Sequence, residues 1–205
     1  MTASDRPAAI GADEFWRAIR AQFPDLREAL REDARVTAMH RGERHEFRSR
    51  LDTAAQIVRL AWVSDAFLAQ AVYRVKCRLQ ARGVPVLPRI AHRLSMVLAQ
   101  ISIGDPVVMH PGVYIVHGQV VADGLVEIHS GVVISPFVTI GLRGGEVRGP
   151  TIERGARIGT GAKVIGPVRV GAGAEIGAGA VVVDDVADRT TVVGVPARPA
   201  RSPSD

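Results

Sequence analysis

A parallel β-helix behind an α-helical N-terminal domain is the fold class this sequence predicts, on three observations. Ile152, Ile158, Val164, Val170, Ile176 and Val182 recur on a strict six-residue step. Four places after most of them stands a second small residue: Ala156, Ala162, Val168, Ala174 and Ala180. Before about residue 100 the apolar period is helical, whereas most of the 21 glycines come later. A period of six fits neither a helix stripe nor a strand alternation, so it marks a repeat. Each unit supplies one short strand and one turn, and three units close a triangular coil with the aliphatics stacked inside.

The 205 residues suit one globular domain, or one domain with a smaller appendage. No apolar run reaches the roughly 20 residues a membrane span needs, and the polar N-terminus has no signal-peptide core. The single cysteine, Cys77, leaves no internal disulfide to form, which points to a reducing, cytoplasmic setting. The net charge of +5 sits before residue 101, with 17 basic and 11 acidic residues there against 9 and 10 after it. Those charges are interleaved as on helix faces, with no dense basic run, so nucleic acid is not an expected partner.

In chain order, residues 1 to about 11 carry no pattern. Phe15, Ile19 and Phe23 then share a helix face with Asp13 and Glu14 in its first turn. After Pro24 a second helix carries Leu26, Ala29 and Leu30, and residues 41–50 read as a solvated helix or a connector. A long helix is expected over 54–82, with Ile57, Leu60, Phe67, Leu68, Ala71, Val75 and Leu79 on its stripe. Gly83 and Pro85 stop it, and Pro88 opens a further helix to about Gln100. Residues 1–100 thus form the helical domain.

The β-helix is expected over 101–198. Ile103, Met109, Ile115 and Val121 keep the six-step, and Ile128 comes seven along, which places one bulged residue between Val121 and Ile128. Ile134 and Ile140 continue, and Ile152 is two steps on. The skipped unit, with Arg143, Gly144, Gly145 and Arg148, makes poor rung material, so 142–150 is expected as a protruding loop. A short polar tail, 199–205, follows the closing TVVGVPAR.

This helical domain running into TIERGARIGTGAKVIGPVRVGAGAEIGAGAVV and ending in VVGVPAR resembles the hexapeptide-repeat acyltransferases, and among them most the serine O-acetyltransferases. The likeness covers about residues 50–200, and the stretch around Tyr73 and Arg74 stands at the spacing expected of the serine enzymes. It implies a left-handed parallel β-helix, acetyl-CoA as co-substrate, no metal, and a homotrimer or a dimer of trimers. It implies His117 as general base, with Ser102 where the family has the aspartate that orients it. Gly149 stands where the family has a second histidine, and Arg148 where it grips the acceptor's carboxylate. Asp52 matches the aspartate that meets the acceptor's amino group. CoA would lie between adjacent prisms against main chain at Leu142, Thr160 and Ala178. The chain ends in Asp205 rather than the family's isoleucine, so docking to cysteine synthase is not expected.

Acyl transfer from a thioester to a hydroxyl needs a base working near neutrality, which suits an imidazole. Gly118 is expected to leave room for substrate beside His117. With Ser102 in the orienting place, Asp105, Asp123 and Glu127 are candidates to hold the imidazole, Asp105 first because it lies closest in sequence to Ser102; a backbone carbonyl serves equally well. His110, His117 and His129 raise a metal reading, since another branch of left-handed β-helices binds zinc through three histidines. Their 7- and 12-residue spacings argue against equivalent places on neighbouring units, and His110 and His129 are expected at corners. Cys77, inside an arginine-rich helix, is not an expected nucleophile, so transfer is direct. Arg143, Arg198 and Lys163 are surface charges that could also meet CoA phosphates. Gly141–Gly145 lacks the ending of a P-loop.

The leading expectation is an enzyme that moves acetyl from acetyl-CoA to serine or a serine-like amino acid. The alternatives are a CoA-dependent transferase with another hydroxyl or amine acceptor, and a catalytically silent scaffold.

Overall fold

The structure, a computed structural model, describes residues 11–200. Expectations for residues 1–10 and for the tail beyond Ala200 lie outside the described residues. Five helices come first: α1 (Ala12–Ala21), α2 (Leu26–His40), α3 (Arg50–Val63), α4 (Asp65–Ala81) and α5 (Leu87–Ala99). Asp25 caps α2, its Oδ1 accepting from the Arg27 and Glu28 amides at 2.9 and 3.2 Å. Pro88 lies in the first turn of α5, where its missing N–H costs nothing.

Two helices replace the single one expected over 54–82. Ser64 sits between them with φ −139° and ψ 107°, and its hydroxyl accepts from the Phe67 amide at 3.3 Å. The Ser64–Asp65 pair is therefore an N-cap, a signal that the continuous apolar stripe masked. Residues 41–49 are a connector without helix.

After α5 the chain winds into a three-sided parallel solenoid. Face A holds β1 (Ile101–Ile103), β4 (Val120–Ala122), β7 (Thr139–Gly141), β10 (Lys163–Ile165) and β13 (Val181–Val182). Face B holds β2 (Val108–Met109), β5 (Leu125–Ile128), β8 (Arg148–Ile152) and β11 (Arg169–Val170). Face C holds β3 (Tyr114–Ile115), β6 (Val133–Ile134), β9 (Arg157–Ile158), β12 (Glu175–Ile176) and β14 (Thr191–Val193), closed by antiparallel β15 (Arg198–Pro199).

The periodic aliphatics line the interior, and Ala156, Ala162, Ala174 and Ala180 are fully buried beside them. Gly159 is required because a Cβ there would stand 2.6 Å from the Ile176 carbonyl oxygen of the next coil.

Two expectations are corrected. On β4 the inward residues are Val120 and Ala122, and Val121 is 42% exposed. Ala122 pairs with Ile103 below and Ile140 above. The seven-residue step therefore runs from Ile115 to Ala122, and its extra residue falls within His117–Gln119 rather than after Val121. A small inward alanine hid the true register. The connection after β7 is also shorter than 142–150, because β8 begins at Arg148. A register shift between Leu125 and Glu127 lets Arg148 pair with Leu125, leaving 142–147 as the excursion. Arg143 and Glu146 bridge it at 2.8 Å.

The helical domain docks by satisfying carbonyls of the first coil. From α4, Gln70 donates to Val113 O (3.0 Å), Tyr73 Oη to Val107 O (2.8 Å) and Lys76 Nζ to Ile103 O (2.6 Å). Arg74 donates to Met109 O and His110 O, and Ser95 of α5 to Ile101 O (3.0 Å). Arg74 Nε also pairs with Asp33 of α2 at 2.8 Å, and Asp33 accepts from the Gly112 amide at 2.8 Å. Both side chains are almost fully buried. Arg74→Ala should thus destabilise the fold by about 3–5 kcal/mol, the usual cost of stranding one member of a buried pair. Urea unfolding measures this, and the double variant Asp33→Asn/Arg74→Met should recover a large part of the loss.

Candidate active site

His117, Gly118 and Gln119 turn the corner from face C of the first coil to face A of the second. The corner is held from below by the end of α5. The Gln119 amide donates to Ala99 O at 3.1 Å, and Gln119 takes φ 65° to do so. A Cβ on Gly118 would stand 1.9 Å from that same oxygen. The expectation that Gly118 makes room for substrate is corrected: it makes room for the Ala99 carbonyl.

His117 is exposed at the rim of a cavity of about 420 Å³ between the helical domain and the first coil. Arg41 follows α2, Ser64 and Asp65 form the α3–α4 junction, and Gln100 ends α5; Tyr114 supplies the coil side. The His40 ring stacks on Tyr114 at 4.3 Å between centroids. Among the described residues Arg41 pairs only through Nε, with Glu43 at 2.8 Å, and Asp65 has no ion-pair partner. One cation and one carboxylate thus share a small cavity with an imidazole. Sequence reasoning missed both: Asp65 falls inside the single helix expected over 54–82, and Arg41 within the charged stretch 41–50.

The other expected site residues lie elsewhere in the chain. Asp105 follows β1 at the opposite edge of face A from His117, and a three-residue strand alone separates such positions by about 10 Å. Its carboxylate meets Lys76 Nζ at 3.1 Å. Burial works to raise the Asp105 pKa, and the Lys76 ammonium overcomes it, so the carboxyl is held below its usual range. Asp105 is a counterion of the interdomain lysine. Ser102 lies mid-strand on β1 beside Val121. Among the described residues no carboxylate is hydrogen-bonded to His117.

Asp52 is bound by Arg44 at 2.6 and 2.7 Å and by the Arg48 amide at 2.8 Å. The Arg44 bond, more than anything else, drives its pKa far below the carboxylate range. Arg148 is exposed at the start of β8 beside Leu125, on the corner between faces A and B, one face round from the His117 corner. Thr160 and Ala178 are exposed on one corner of successive coils, where the Gly179 amide donates to Thr160 O at 2.8 Å. Leu142 leaves the other edge of face A, and its side chain covers Gly124. Cys77 is buried, and burial pushes its thiol pKa up, away from nucleophilic use.

The profile of the bacterial transferase hexapeptide family (six repeats) matches residues 149–184. The serine acetyltransferase of Mycobacterium tuberculosis is 34% identical over 166 residues, covering 80% of this chain and 72% of that protein. The chain belongs to the serine acetyltransferase family. The enzyme of Synechococcus elongatus is 36% identical over 135 residues, covering 64% of this chain. The chain spans only 55% of that serine acetyltransferase's length. Soybean serine acetyltransferase complexed with serine superposes with TM-score 0.72 at 30% identity, covering 88% of this chain and 71% of that one. A serine acetyltransferase in complex with CoA gives TM-score 0.70 at 25% identity, covering 89% and 73%.

For this serine acetyltransferase relative the corner geometry carries its own prediction. Gly118→Ala should push α5 from the coil and cost about 1–3 kcal/mol, as overpacking does. Thermal melts should show a drop of several degrees, while His117→Ala, at an exposed position, should melt close to the parent.

Proposed function

We propose that this chain transfers acetyl from acetyl-CoA to the hydroxyl of serine, by direct transfer with His117 as general base. The observation that carries the reading is the cavity beside His117, which holds both Arg41 and Asp65. A zwitterionic amino acid needs a cation for its carboxylate and an anion for its ammonium, and this pair supplies both within reach of one imidazole. The relatives add support: one is solved with serine and one with CoA.

His117 takes the hydroxyl proton as the serine oxygen attacks the thioester carbonyl. The tetrahedral adduct collapses, the carbon–sulfur bond breaks, and the imidazolium returns its proton to the departing CoA thiolate. Ester and thiol are the products, with no covalent enzyme intermediate, consistent with a buried Cys77. The exposed main chain at Thr160 and Ala178 offers CoA a wall, completed by the adjacent prism of a homotrimer. Exposed apolar residues on α5, with Ile90 at 55% and Val97 at 79%, support association between chains. Arg148 enters the site, in this reading, from a neighbouring chain. A cytosolic location follows from the unpaired cysteine.

Thiol release from acetyl-CoA across a panel of hydroxy and amino acids tests the proposal. His117→Ala should lower kcat with serine by about 10²–10⁴-fold, the usual contribution of a general base. Unchanged turnover would remove His117 from the chemistry. Asp65→Asn should raise KM for serine on the order of tenfold, the worth of a charged hydrogen bond, with a smaller change in kcat. No turnover with any acceptor, together with no CoA binding, would make the chain a scaffold.

A further inference from the structure

We propose that His110, Glu127 and His129 form a binding site for a transition-metal ion such as zinc, on the corner between faces B and C. Taken together, His110, His117 and His129 follow no common step along the chain. In the structure Met109 pairs with Ile128, so His110 and His129, the next residues, stand at the same corner of successive coils. Nineteen residues is one full coil at this level, and only His117 is out of line.

The two imidazoles stack with centroids 4.6 Å apart and planes 7° from parallel. Glu127, on β5, lies beside them: its Oε1 is 2.9 Å from His110 Nε2 and 3.6 Å from His129 Nε2. One ligand atom from each of the three residues falls within 4.8 Å of the others. Bonds of about 2.0–2.2 Å in a tetrahedral arrangement put ligand atoms roughly 3.3–3.5 Å apart, so small rotations that tilt the rings together complete the set. Glu153, one coil further, has Oε2 3.9 Å from His129 Nε2 and is held through Oε1 by Arg169 at 3.0 Å. It can hydrogen-bond an imidazole and so fix its tautomer, as partners of metal-bound histidines do.

Hydrogen bonding alone accounts poorly for this arrangement. Only His110 is within hydrogen-bond distance of Glu127; His129, stacked on it, stands 3.6 Å from the same oxygen, a gap that a shared cation would bridge. Two imidazoles and one carboxylate favour zinc, cobalt(II) or nickel(II) over magnesium or calcium, which want oxygen ligands. The ion would tie the first coil to the second at a corner remote from the His117 cavity. Its role is to brace the solenoid, independent of the acetyl-transfer reading.

Full-length protein stripped with chelator and dialysed should bind one zinc ion per chain in calorimetric titration and melt at a higher temperature when zinc is present. Cobalt(II) in its place should show the intense visible absorption of a four-coordinate site. His110→Asn, His129→Asn and Glu127→Gln should each weaken zinc binding at least about tenfold, since even outer partners of metal ligands are worth 10–100-fold. Acetyl transfer should survive in these variants. Absence of zinc binding above that of the His110→Asn/His129→Asn double variant overturns the proposal, as does zinc binding that all three single variants retain.

Discussion

The carbonyls of the first coil, turned toward the helical domain, are the constraint on which the rest of the structure depends. Between coils, amides of one coil donate to carbonyls of the next, as Gly104 does to Ala122 and His110 to Ile128. Carbonyls of the first coil have no coil beneath to supply a donor, and each left dry and unmet would cost about 1–3 kcal/mol. A solenoid therefore needs a cap. Here the cap is one polar helix face: Gln70, Tyr73 and Arg74 recur at helical spacing, and Lys76 reaches Ile103 from the flank. The charges among them are affordable under cover because each has a counterion, Asp33 for Arg74 and Asp105 for Lys76.

That cap explains which parts of the fold were legible in the sequence. The later coils are legible because their interior is too narrow for anything but aliphatics and alanines, so geometry forces a periodic spelling. The cap spells nothing periodic. Arg74 and Lys76 look like the solvated side of an arginine-rich helix, yet both are buried. Ser64 was masked for a similar reason: the apolar stripe runs through it, and only the backbone angles disclose the break. Ala122 shows the opposite failure, where Val121 took the inward place in the reading because it is the more aliphatic of two neighbours.

Of the candidate site, the sequence shows only a residue that carries its own chemistry. His117 stands out as an exposed imidazole at a coil corner, and family position pointed to it. Its neighbours could not be found by proximity along the chain. Asp105 is near Ser102 in sequence but across a whole face from His117, and Lys76 occupies it. Arg41 and Asp65 converge on His117 from two different helix ends because α2 and α4 both lean on the first coil through the Asp33–Arg74 pair. His110 and His129 stand at a corner as expected, but they follow Met109 and Ile128, which lie one full coil apart, and that equivalence is hidden when His117, which is out of line, is weighed with them.

The seven-residue step from Ile115 to Ala122 draws these threads together. A strict six-residue unit would send the corner after Ile115 straight onto face A, close against the neighbouring coils. The extra residue swells that corner, and His117 stands on it. A swollen corner on its own would be loose, since Gly118 has few conformational limits and Gln119 would not hold a left-handed φ of 65° unaided. The Ala99 carbonyl removes that freedom by pressing on Gly118 and accepting from Gln119. Ala99 is the last residue of α5, and α5 is fixed by Ser95 to the first strand and by α4 to the cap. The polar helix that closes the solenoid thereby also sets the position of the imidazole. Coil and cap cannot be varied separately: a change in how α4 covers the first coil moves His117 as well as the fold.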